Sequence, residues 1–250
     1  VLALTGCGRV GFGEGSGDAV AKICPNPVGH DEDHDGIDDA CDGCPHIADG
    51  AQVDTDGDGV DDVCDPNPAS PRETIAFFDP FLVQRPEWFF AGAPATFAGD
   101  SFTVDARNGG FGAILQEVPI ADTYTLGGRI EAVTNGQRQM TIAVGDSASA
   151  HYYCELEGTM LYGKLAETHT TDGSVYSVDT LTMTRTPIQD TDIDLTMFHA
   201  TPNIGCATAF PADVQRIDTA IPIAITADHV AFTAFGAVVR FDYFIHIRTN

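Results

Sequence analysis

The chain has 250 residues, 43% of them hydrophobic, and carries 37 acidic against 12 basic side chains, for a formal net charge of −25. That length allows one large domain, or a moderate domain with small modules. The acidic balance excludes a nucleic-acid-binding protein, which needs a basic footprint, and no stretch reaches the ~20 apolar residues of a transmembrane helix.

The chain opens on the apolar run Val1-Leu2-Ala3-Leu4, and Leu4-Thr5-Gly6-Cys7 resembles a bacterial lipobox. The resemblance implies that residues 1–7 are the end of a signal peptide with Cys7 as the lipidated residue, on a secreted protein anchored to a bacterial membrane by lipid alone. A short apolar segment with a chance cysteine is the alternative. Setting Cys7 aside leaves six of the seven cysteines, an even number suited to disulfides in an oxidising compartment. Gly8, Gly11, Gly13, Gly15 and Gly17 then make residues 8–22 a flexible tether.

An acidic ladder follows, twice. Asp31, Asp33, Asp35, Asp39 and Asp42 occupy positions 1, 3, 5, 9 and 12 of a twelve-residue loop, and Asp54, Asp56, Asp58, Asp62 and Asp65 repeat the spacing 23 residues later. Gly36 and Gly59 fall at position 6, where such a loop turns sharply. A hard cation takes several oxygen ligands from one short segment, so the ladders predict Ca²⁺ at two or more sites. Each site would use its five aspartates with the carbonyl of Ile37 or of Val60. Neither loop runs into a helix, because Pro45 follows the first closely and Pro66 comes directly after the second. An EF-hand is thereby excluded.

The run from Asp35 to Pro45, an aspartate ladder leading into Cys41-Asp42-Gly43-Cys44-Pro45, resembles the thrombospondin type 3 repeat, and Gln52–Asp65 is similar to it again. Asp38 and Asp61 stand where that family often has Gly. The resemblance covers residues 23–67 and implies aspartates wrapped around calcium with almost no hydrophobic core, so that ions and disulfides hold the fold. It also implies sequential pairing, Cys24 with Cys41 and Cys44 with Cys64. A redox Cys41-x-x-Cys44 and a zinc site from these four cysteines are the competing readings. Extracellular calcium modules of this kind work at roughly 10⁻⁴–10⁻³ M, which makes the ions structural and not signals.

Pro66, Pro68 and Pro71 stiffen the connection around a linker at 68–73, and beyond it the hydrophobic period becomes two. Tyr124, Leu126, Ile130 and Ala132 share one face of a candidate strand; Met140, Ile142 and Val144 alternate in the next; Ile193, Leu195 and Met197 follow. Val239, Phe241, Tyr243, Ile245 and Ile247 make the clearest run. Half-buried antiparallel strands have this pattern, so residues 74–250 are predicted to form an all-β sandwich. The stretches 74–90 and 229–245 resemble the opening and closing strands of concanavalin A-like, laminin-G-like jelly rolls. Cys154 and Cys206 are left to pair within the sandwich.

Glycosidases on that fold carry two carboxylates flanking the scissile bond. No such motif occurs here; the nearest is Glu155 with Glu157, read first as a solvated strand face. Trp88, Tyr152 and Tyr153 are candidates for stacking on sugar rings, with the sandwich core as the alternative. The expectation is therefore a non-catalytic surface protein. Its calcium module would be a rigid spacer, and its sandwich would bind a glycan or a cell-surface protein in adhesion. A hydrolase with a divergent acid pair and a purely structural envelope protein are the alternatives.

Overall fold

The structure is a computed structural model that describes residues 24–116, 122–133, 138–145, 151–158, 163–171, 174–182, 190–200, 203–210, 213–220 and 229–250. Cys7 and the glycine tether lie outside the described residues. Among those described, strands begin only at Glu73: β1 (Glu73–Asp79), β2 (Trp88–Gly92), β3 (Ala95–Phe97), β4 (Phe102–Asp105), β5 (Gly110–Gln116), β6 (Asp122–Val133), β7 (Arg138–Gly145) and β8 (His151–Gly158). The second half supplies β9 (Gly163–Thr171), β10 (Ser174–Thr182), β11 (Asp192–Ala200), β12 (Asn203–Phe210), β13 (Asp213–Ala220), β14 (His229–Phe235) and β15 (Ala237–Thr249).

These strands form two antiparallel sheets. The first runs β13-β12-β11-β6-β15-β4-β3; β4 pairs with the start of β15 and β1 with its end, on the same side. The second runs β10-β9-β8-β7-β14-β5-β2. Each sheet mixes strands from both halves of the chain, which makes the domain a jelly-roll β-sandwich.

Period-two alternation sends Met140, Ile142 and Val144 of β7 and Ile193, Leu195 and Met197 of β11 into the space between the sheets. Phe81, Trp88, Phe102, Phe232, Phe241 and Phe244 fill the centre, with edge-to-face contacts such as Trp88 on Phe244 at 5.1 Å. Trp88 is 3% exposed and its Nε1 donates to Asp79 Oδ2 at 2.8 Å. Tyr152 is buried as well. Neither can stack on a sugar, because the apolar area of each is already used in the core. Cys154 of β8 and Cys206 of β12 form a disulfide that ties one sheet to the other, with their Cα atoms 5.4 Å apart.

The run in β15 behaves differently from its sequence pattern. A register shift between Phe241 and Tyr243 puts a bulge opposite Gly127 and Gly128 of β6. Val239 and Phe241 face the core before it, and Phe244 does so after it, so Tyr243, Ile245 and Ile247 emerge on the outer face. One extra residue in a strand inverts every side chain beyond it. Gly127 leaves the space that the Tyr243 ring takes, since a Cβ there would lie 2.2 Å from the ring.

That outer apolar patch is covered by the acidic segment. Val60, fully buried, packs with Tyr243, Ile245 and Ile247, flanked by Ile75 and Phe78. The His46 ring lies 5.3 Å from that of Tyr243, and burial pushes its pKa down to about 4. Asp58 Oδ2 accepts the amides of Arg72 and Glu73 at 3.0 and 2.7 Å. Residues 24–67 are therefore docked on the sandwich, so a rigid spacer built from them would share an apolar contact with the domain it presents. A bulge had to expose three apolar side chains for this docking to have a surface.

Candidate metal centres and an outer-face platform

The two ladders share their main amide-to-carboxylate bonds. Gly36 N donates to Asp31 Oδ2 and Gly59 N to Asp54 Oδ2, each at 3.0 Å. Ile37 N donates to Asp35 Oδ1 and Val60 N to Asp58 Oδ1. Gly36 and Gly59 have φ of 96° and 101°, with no atom near an added Cβ, so backbone conformation is what demands glycine there. Disulfides Cys24–Cys41 and Cys44–Cys64 clip the two copies in sequential order.

The structure gathers the carboxylates into four groups, within each of which the ligand atoms lie no more than 4.8 Å apart. Asp31, Asp33 and Asp35 make the first, and Asp54, Asp56 and Asp58 its counterpart in the second copy. Asp42 joins Asp49 and Asp61, while Asp65 joins Asp58 and Glu73. Position 12 of each ladder thus reaches forward, to an acid seven or eight residues on. The ninth-position residues Asp39 and Asp62 lie outside these groups. Asp39 accepts the Glu32 amide at 2.9 Å and holds His30 Nδ1 at 2.7 Å. Asp62 accepts the amide and hydroxyl of Thr55 at 2.8 and 2.6 Å. Asp38 accepts the amides of Val28 and Gly29 at 2.9 and 2.7 Å.

These residues fit a hard cation. Opposite ligands on a calcium ion are about 4.8 Å apart, given bonds of ~2.4 Å. Asp31 Oδ1, Asp33 Oδ2, Asp56 Oδ2, Asp65 Oδ2 and Glu73 Oε2 are buried without a hydrogen-bond partner. No arginine or lysine among the described residues pairs with those five side chains, and none occurs between Ile23 and Pro71. Burial, partly offset by the Asp35 amide, pushes Asp33 up to about 6. Asp42, Asp49 and Asp65 are raised too, again chiefly by burial. A buried carboxylate that is neither paired nor hydrogen-bonded is costly, and a coordinated cation removes that cost. All donors are oxygens, which suits calcium better than zinc, and the four cysteines of the segment are bound up in disulfides.

Where the first ladder meets the sandwich, a cleft of about 410 Å³ is lined by Glu32, His34, Asp100, Asp194, Asp242 and Tyr243 among others. Burial, reinforced by Asp242 and Asp100, pushes Glu32 up to about 9. Tyr243 donates to Asp194 Oδ1 at 2.6 Å.

The second sheet presents a different surface. Cross-strand register lines up Phe89, Ile114, Ala231, Ala143 and Tyr153 straight across β2, β5, β14, β7 and β8, on the face away from the core. Beside it runs Ala91, Gly112, Thr233, Thr141 and Glu155. Ile114 and small residues make the floor; Phe89, 63% exposed, and half-buried Tyr153 stand at its two ends, about 19 Å apart at the usual strand spacing. The Thr141 hydroxyl in this polar row is buried without a hydrogen-bond partner. Glu155 lies in the same row; the side chain of Glu157 is outside the described residues.

No known family model matches the chain, and no curated protein matches it in sequence. Solved structures resemble its fold. The CBM2 module of the evolved Dit of Lactobacillus casei BL23 phage J-1 superposes with a TM-score of 0.57 at 8% identity, over 72% of this chain and 97% of that one. For a Bacillus licheniformis β-glucanase the values are 0.51, 6%, 68% and 96%; for lectin II from Ulex europaeus they are 0.50, 12%, 69% and 98%. At such identities the likeness establishes architecture, and it makes the sandwich a concanavalin A-like jelly roll.

Proposed function

We propose that this chain is a calcium-braced, glycan-binding surface protein that recognises its ligand on the outer face of the second sheet. The observation that carries the reading is the row from Phe89 to Tyr153. Two aromatic side chains bracket a floor of Ile114, Ala231 and Ala143, and Thr233 and Glu155 lie alongside as hydrogen-bonding groups. Sugars call for aromatic faces for their C–H surfaces and polar groups for their hydroxyls, on a shallow surface. The neighbouring folds include a carbohydrate-binding module and a lectin, which supports the same class of ligand.

In this reading calcium is structural: it neutralises the ladders of residues 24–67 and so holds that segment against β15. Lipidation at Cys7 and display outside a bacterial membrane complete the proposal. The test is a glycan array probed with the calcium-loaded protein and with Tyr153→Ala and Phe89→Ala variants. Retention lost in the variants supports the platform; retention unchanged in both contradicts it. Turnover of a retained glycan that disappears in Glu155→Gln would favour the hydrolase that the β-glucanase neighbour represents.

A further inference from the structure

We infer that Glu73, the first residue of the sandwich's first strand, completes a divalent-cation site with Asp58 and Asp65, and that an ion there fastens the second ladder to the β1–β15 edge. The inference rests on the calcium half of the reading above and is independent of the glycan half. Glu73 begins β1 opposite Thr249 of β15, in a position that resembles no ligand motif.

Its side chain is completely buried. Oε1 accepts Asn67 Nδ2 at 2.7 Å, while Oε2 is buried with no hydrogen-bond partner. Asp65 is arranged in the same way: Oδ1 accepts the Asn67 amide at 2.6 Å and Oδ2 is left over. Asn67 therefore orients two carboxylates with one side-chain and one backbone donor, and each keeps an oxygen free for an ion. Asp58 supplies the third ligand, held in place by the amides of Val60, Arg72 and Glu73. The ligand atoms of all three lie within 4.8 Å of one another, a separation that repels carboxylates and suits a calcium ion.

The consequence is mechanical. Asp58 also belongs to the Asp54, Asp56, Asp58 group, so loading that group and loading the seam share a ligand. The backbone at the seam is tied by Asn250 N donating to Arg72 O at 2.7 Å, directly before β1. In the first copy the corresponding group, Asp42 with Asp49 and Asp61, stays within the acidic segment. Among the described residues, only the second copy recruits a residue of the sandwich.

The experiment is calorimetric calcium titration of the chelator-stripped full chain, comparing wild type, Glu73→Gln and, as a control outside the four carboxylate groups, Asp105→Asn, an exposed residue paired with Arg107. Backbone hydrogen exchange is followed at 74–79 and 244–249. We expect Glu73→Gln to lose one ion, or to weaken it at least tenfold, and Asp105→Asn to keep the wild-type stoichiometry. Calcium should slow seam exchange in wild type and Asp105→Asn but not in Glu73→Gln. In chelator, Glu73→Gln should be at least as stable as wild type, because it removes an uncompensated buried charge. Unchanged stoichiometry and affinity in Glu73→Gln would overturn the seam site alone, and so would a stability loss equal in chelator and in calcium. Wild type that binds no calcium would overturn the ladder reading together with it.

Discussion

Val60→Ala tests whether the acidic segment is part of the folded sandwich or a separate appendage. Val60 is fully buried and touches Tyr243, Ile245 and Ile247, so the substitution removes two methyl groups from a closed apolar contact. Transfer accounts for about 0.8 kcal/mol per group, and the cavity left beneath Ile75 and Phe78 brings the loss to about 2–3 kcal/mol. For a domain of this size that corresponds to about 5–10 °C in Tm. The assay is differential scanning calorimetry in saturating calcium, with hydrogen exchange at Tyr243–Ile247 read in parallel. We expect the main sandwich transition to move and exchange at those residues to rise. A main transition that stays put, with unchanged exchange in β15, would show that the segment is not docked as described.

The remaining predictions concern the ladder and the core. Asp62→Ala removes both hydrogen bonds to Thr55 and should cost about 1–2 kcal/mol equally with and without calcium, as measured by urea unfolding in both conditions. Asp56→Asn should matter only in calcium. In chelator the folded protein holds Asp33 and Glu32 at about 6 and 9, above their unfolded values. Folding then takes up protons between pH ~4 and those values, so stability should fall as pH rises through that window. Calcium should remove the Asp33 part of that slope, between pH ~4 and ~6, because its ligands bind deprotonated, and leave the Glu32 part in place; parallel slopes between pH ~4 and ~6 in calcium and chelator would contradict the assignment. Replacing Cys154 and Cys206 together by Ser opens a sequence separation of 52 residues and should cost about 4 kcal/mol by denaturant titration. A much smaller loss would mean that the two sheets hold together without the staple.

Much of this was legible because it is local. A carboxylate spacing repeated at 23 residues, with glycine at position 6, specifies the ladder geometry within one short segment, and both copies fold with the same amide-to-carboxylate bonds. Alternation in β7 and β11 likewise placed the core face correctly. What escaped the sequence depends on partners far along the chain. Tyr243, Ile245 and Ile247 look like a continuation of Val239 and Phe241 until the bulge opposite Gly127 and Gly128 inverts them. Asp39 and Asp62 sit at ligand spacing, yet they brace the loop, because residue 32 or 55 lies within hydrogen-bonding reach. Glu73 is an ordinary strand residue in sequence, and only docking brings it to Asp58 and Asp65. The row from Phe89 to Tyr153 requires the register of five strands drawn from 88 to 235, which no window of sequence contains.

Thermal unfolding of the full chain, first with excess calcium and then after chelation, tests the central claim most directly. Buried, unpartnered oxygens on Asp31, Asp33, Asp56, Asp65 and Glu73 predict a Tm that rises with calcium concentration and falls when the ion is withdrawn. An identical Tm in calcium and in chelator would contradict it.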